Sequence, residues 1–213
     1  MAKTLKEDAR PGPPRRGRGS LLLFESALIV ASVALGFIVT EWRERAADRE
    51  LSRRILTTVI AEVSSNRERL AEQIAHHREM IATFERLPAA PPELSGWDAI
   101  AGNLKSGTNA LPLRRAAWDA AVSSGALRVI DYDIAARLSD IYTFQDAGYG
   151  RAAAGFGEAL FVPETFTPGR AADAVRMFRV LVSELVGQET YMLEMYDRYL
   201  PALRAALADA EHE

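Results

Sequence analysis

The sequence predicts an all-α protein. An N-terminal transmembrane helix runs on into a long helix, and that helix packs in an extramembrane helical bundle built around an antiparallel hairpin. Three observations carry this. Residues 21–40, LLLFESALIVASVALGFIVT, hold one charge in twenty positions; no Pro or Gly occurs between Glu41 and Arg86; and no β-strand pattern exceeds four residues.

The chain has 213 residues, 48% hydrophobic and 26% charged, which suits one folded domain plus a tail. It contains no cysteine, which excludes disulfide frameworks, thiolate zinc sites and cysteine nucleophiles. Only His76, His77 and His212 supply imidazole. Residues 1–20 carry Lys3, Lys6, Arg10, Arg15, Arg16 and Arg18 against Glu7 and Asp8, a basic tail expected to be disordered. The remainder is acidic, so nucleic acid is not an expected partner: phosphate binding needs a cationic face.

At about 1.5 Å per residue, residues 21–40 make roughly 30 Å of helix, the thickness of a hydrocarbon core. The rival reading is a signal peptide cleaved after Ala34, where Ser32, Val33 and Ala34 are suitably small. Apolar character nevertheless continues through Val39, past an h-region of about 7–15 residues. The basic tail favours a cytoplasmic N-terminus, because the arginines beyond the span are interleaved with Glu41, Glu44, Asp48 and Glu50. The main domain, 41–213, is then extracytoplasmic.

Glu25 is the exception within the span, and a carboxylate there is a functional-site hypothesis by default. Glu25, Ile29, Ser32 and Gly36 fall within about 40° on a helix, and Ser32 with Gly36 forms a small-xxx-small pair that admits a second helix. This face is the expected helix–helix interface; the alternative is a shallow Glu25 reaching headgroup water. Trp42 is the expected interfacial anchor.

Beyond Trp42 one helix is expected to about Leu87, with Leu56, Ile60, Val63, Leu70, Ile74, Ile81 and Phe84 on its apolar stripe and Val59 beside them. Asn66 lies close to that stripe, where it can specify register in a coiled-coil-like packing. A Pro-rich break follows at 88–96. A short helix is expected around 97–104, then a loop to Pro112. The next helix spans 113–124, with Trp118, Ala121 and Val122 inward and Ser123-Ser124-Gly125 ending it. Asp131 or Asp133 can cap a helix carrying Ile134, Leu138, Ile141, Tyr142 and Phe144. The Gly/Ala-rich stretch 148–157 is either closely packed or loose. A final helix from Arg170 to about Leu207 presents Met177, Leu181, Leu185, Met192, Met195, Tyr196 and Tyr199, and Pro201 kinks it or starts a last short helix.

The pattern Glu25-x16-Trp42-x-Glu44, followed by Leu56, Glu62, Asn66 and Leu70, and then by Trp118…Ser124-Gly125-x-Leu127-x-x-Ile130 through Leu138 and Tyr142, resembles a family of uncharacterised bacterial single-pass membrane proteins. The resemblance covers segments of about 24–145. Its members have Gly and Asn where this chain has Ser32 and Thr40. It implies the architecture and a bacterial inner-membrane location, and carries no activity.

Other constellations have plainer readings. Glu72, His76 and Glu79 share a helical face, but nothing elsewhere completes a metal site, so a solvated polar face is expected and no metal or cofactor. Ser123-Ser124-Gly125 lacks the strand and flanking glycines of a nucleophile elbow. Gly148, Gly150, Gly155 and Gly157 lack the strand and Lys-Ser/Thr of a phosphate loop. With no catalytic set, the expected function is a membrane-anchored, non-enzymatic helical interaction or scaffold protein. Its partners are the lipid bilayer and either another protein or itself. The alternative is an extracytoplasmic ligand-sensing domain acting through a separate transducer.

Overall fold

The structure, a computed structural model, describes residues 18–86, 93–101 and 112–212. The expectations for residues 1–17, Leu87, 88–92 and 102–111 lie outside it. The described residues are almost all helical, and their only strand-like pairing is an isolated bridge between Ser95 and Pro168. The helices are α1 (Arg18–Arg86), α2 (Gly96–Ala101), α3 (Ala116–Ser123), α4 (Tyr132–Phe144), α5 (Arg151–Ala159), α6 (Pro163–Phe166) and α7 (Ala171–His212). A 3₁₀ turn (Ala126–Val129) precedes α4, and a π-helical segment (Gln145–Gly150) joins α4 to α5. Contacts divide the chain between Ala47 and Asp48.

In the first part, α1 is long and apolar enough to cross a membrane, and its apolar window has no buried residue. Phe24, Val30, Phe37 and Trp42 are all about two-thirds or more exposed. Hydroxyls on this stretch are satisfied within the helix: Ser32 donates to the Leu28 carbonyl at 2.8 Å and Thr40 to that of Gly36 at 2.9 Å.

In the second part, from Asp48 onward, α1 and α7 are antiparallel. Ser64, Arg67 and His77 on α1 meet Arg204, Asp197 and Glu189 on α7, so partner numbers fall as α1 numbers rise. The central line of the buried stripe of α1 is Leu56, Val59, Val63, Asn66, Leu70, Gln73, His77, Met80 and Phe84, spaced alternately three and four apart, and Ile55, Ile60 and Ile74 are buried beside it. Ile81, expected on this stripe, is only half-buried.

On α7 the line from Phe178 to Tyr196 is Phe178, Val182, Leu185, Glu189, Met192 and Tyr196, again alternating four and three, with Met195, Leu200 and Leu203 buried at its C-terminal end. Met177 and Leu181, expected inward, are half-buried. Each has an apolar neighbour one residue on, and packing selects that neighbour. α7 runs unbroken to His212, so Pro201 starts no new helix.

The shorter helices cover this pair. The helix expected from 113 starts at Ala116 instead, because both backbone groups of Arg114 bond to Asn66 and leave the helical ladder. Gly125 ends α3 at φ 69°, a left-handed conformation that glycine adopts at little cost. Trp118 and Ala121 are buried, but Val122 turns outward at 48% exposure. α3 packs on its 118/121 edge. Asp131 caps α4 as expected, accepting from the N–H groups of Asp133 (2.9 Å) and Ile134 (3.3 Å).

The inward residues of α4 to α5 run Ile134, Leu138, Ile141, Gln145, Tyr149, Phe156, with one residue more between Gln145 and Tyr149 than the three-four rhythm allows. The π-turn absorbs it. A Cβ on Gly148 would lie 2.6 Å from the Phe144 ring, whereas Gly155 and Gly157 face open space. The glycine-rich stretch is therefore tight at its start and loose at its end. At the distal end α2 lies against α7, where a Cβ on Gly96 would stand 2.3 Å from that of Ala174.

Candidate functional site

The first candidate is the face predicted on the apolar stretch of α1. Glu25, Ile29, Ser32 and Gly36 all lie exposed on it, at the i, i+4, i+7, i+11 spacing of one side of a helix. A Cβ at Gly36 would meet nothing within 4 Å. The backbone is thus uncovered where a second helix would need to come close, and Ser32 brings no unpaired hydroxyl to such a contact. Trp42 is 65% exposed. Near it, Arg45 pairs with Glu41 one turn back.

The second is a polar seam buried in the core of the second part, most of which sequence reasoning missed. Asn66, fully buried, accepts from the Arg114 N–H at 2.8 Å and donates to its carbonyl at 2.7 Å. One turn earlier, Glu62 accepts from the Ala117 N–H at 2.9 Å and from the Tyr142 hydroxyl at 2.7 Å. The Tyr142 ring stacks on Trp118, centroids 5.0 Å apart. Gln145, on the π-segment, donates to the carbonyls of Leu113 and Arg114 and accepts from the Tyr196 hydroxyl. Glu62, Asn66, Trp118 and Tyr142, scattered over eighty residues of sequence, meet around one turn of backbone.

Further along, the Tyr149 hydroxyl donates to Gln73 at 3.3 Å. His77 Nδ1 lies 2.9 and 3.0 Å from the two oxygens of Glu189, with both side chains fully buried. Burial, reinforced by the Glu189 charge, pushes the Tyr149 hydroxyl up to about 12. Burial and the neighbouring Glu62 hold Tyr142 well above the usual phenol range, and burial does the same for Tyr196. All three hydroxyls therefore stay protonated as donors at neutral pH. No buried side-chain polar atom among the described residues lacks a partner.

His77, next to the polar face of Glu72, His76 and Glu79, lies fully in the core. Its sequence signal was present: Gln73, His77, Met80 and Phe84 continue the three-four spacing begun at Leu56, but two polar residues interrupt the hydrophobic pattern. Glu189 carried no such signal by itself.

The remaining constellations are simpler. Glu72 and Glu79 are exposed and His76 is half-buried, and no group of three metal-capable residues occurs among the described residues. Both serine hydroxyls before Gly125 donate to the Ala120 carbonyl. An open groove of about 700 Å³ lies between Asp48, Arg49, Arg128, Asp131, Ala202 and Ala206.

Comparison with protein-family models, with curated proteins and with solved structures finds no match to this chain.

Proposed function

We propose that this chain is a single-pass membrane protein without enzymatic activity, whose helical domain acts by binding protein, in the first place a second copy of itself. The observation that carries the reading is the fully exposed apolar stretch of α1. Burying this stretch in lipid satisfies its apolar side chains, and the helical backbone bonds its own polar groups. The basic tail then lies in the cytoplasm of a bacterial cell and the domain from Asp48 outside the inner membrane. Self-association uses the Glu25, Ile29, Ser32, Gly36 face, and Trp42 sits at the interface.

Native mass spectrometry of the full chain in mild detergent, with protease protection in vesicles, tests this. The expected result is a dimer or higher species whose domain is cleaved only from the extracytoplasmic side. A strictly monomeric species that extracts from membranes with carbonate would overturn it.

The groove at Asp48 and Arg128 supports a second reading, a ligand-sensing domain that signals through a separate transducer. Its ligand would raise thermal stability by mass action in a screen of small metabolites.

A further inference from the structure

We propose that the buried polar seam is a register lock: it holds α1 and α7 in a single longitudinal setting, so that neither helix can slide along the other. Two helices joined by a purely apolar seam of 3.5-residue period present nearly the same surface after a slide of one heptad, and a polar residue at such a seam selects one setting. Here three of the nine seam positions of α1 are polar, Asn66, Gln73 and His77, and each meets a different element: the Arg114 backbone, Tyr149 of the π-segment and Glu189 of α7.

The antiparallel numbering shows what a slide would do. Moving α7 by one heptad in one direction sets His77 opposite Val182 and Glu189 opposite Leu70. Moving it the other way sets His77 opposite Tyr196 and Glu189 opposite Phe84. The two ionisable groups separate in both cases, and their new neighbours Val182, Leu70 and Phe84 are buried and apolar, so each group loses its mate inside the core. The lock is also tied sideways. The π-turn places Gln145 and Tyr149 so that both reach the seam, and Arg114 O accepts from Asn66 and Gln145 together.

The absence of cysteine allows a direct test in the full chain in detergent. Arg67→Cys with Asp197→Cys marks the observed setting, since these side chains touch. Arg67→Cys with Thr190→Cys marks the setting displaced by one heptad, about 10 Å along the helix. Oxidation should join the first pair and not the second. A variant with both mates replaced twice over, His77→Leu/Glu189→Leu with Gln73→Leu/Tyr149→Phe, should remain helical and raise disulfide yield at the displaced pair several-fold. If that variant loses its circular-dichroism helicity, His77→Leu/Glu189→Leu alone carries the measurement, with a smaller rise expected. An unchanged ratio of the two disulfides in a folded variant would overturn the lock, leaving the seam as satisfied core polarity.

Discussion

The imidazole of His77 addresses both carboxylate oxygens of Glu189, 112 residues away, with neither side chain exposed to water. Taking two such groups out of water costs several kcal/mol each before their attraction repays it, so the pair works only while both members are present. His77→Leu alone should therefore lower the unfolding free energy by about 3–5 kcal/mol, and Glu189→Leu by a similar amount. The double substitution should recover most of the loss. Urea unfolding of the four forms gives the coupling energy, and simple additivity would refute the pairing.

Asn66→Ala removes both bonds to Arg114 and takes from its backbone N–H the Asn66 acceptor, at about 1–3 kcal/mol. Tyr142→Phe leaves Glu62 its bond from Ala117 and keeps the stack on Trp118, so it should cost less, about 1 kcal/mol. Denaturant midpoints compare the two. Amide exchange at 113–117 should quicken in the first variant and not in the second.

The glycines divide by what surrounds them. Gly96→Ala drives a methyl group against Ala174 and the Thr165 carbonyl, and should cost about 1–3 kcal/mol through displacement of α2 from α7. Gly155→Ala and Gly157→Ala point into open space within α5 and should each stabilise by about 0.5–1 kcal/mol. Thermal unfolding in the same buffer separates the signs.

Alkaline titration should unfold the domain cooperatively. Tyr149 ionises near 10.0 in an ordinary setting and near 12 in the fold, so between these values the folded state holds a proton that the unfolded state has lost. The stabilisation is fully present below about pH 10 and is lost as pH rises toward 12. Tyr149→Phe should flatten this part of the stability profile, measured by circular dichroism against pH. A profile identical to that of the parent protein would show that another group governs it.

Within the proposed span, Gly36→Leu should push paired helices apart, and Glu25→Leu should remove a polar contact worth about 0.6–2 kcal/mol. Val33→Leu and Val39→Leu, off the face, serve as controls. Association of the isolated span in a two-hybrid assay reads all four. Equal behaviour on and off the face would leave Glu25 as a residue reaching headgroup water.

Helix content and order were legible in the sequence because apolar period, Pro and Gly act locally. Hydrophobicity announced the exposed stretch of α1, Asp131 and Asp133 announced a cap that the structure assigns to Asp131, and the run without Pro or Gly from Glu41 to Arg86 announced the long helix. The antiparallel placing of α1 and α7 followed from the same reading. What the tertiary structure alone decided is which neighbour in each apolar doublet turns inward, Phe178 rather than Met177, and which polar residues belong to the core. Asn66 could be suspected from its place beside the stripe, and Gln73 and His77 from the three-four spacing, but nothing local marks Glu189 or pairs any of them. A buried polar group is stable only through a mate fixed by distant chain, 48 residues off for Asn66 and 112 for His77. Local pattern cannot encode that dependence, and packing resolves it by bringing both halves of each pair together.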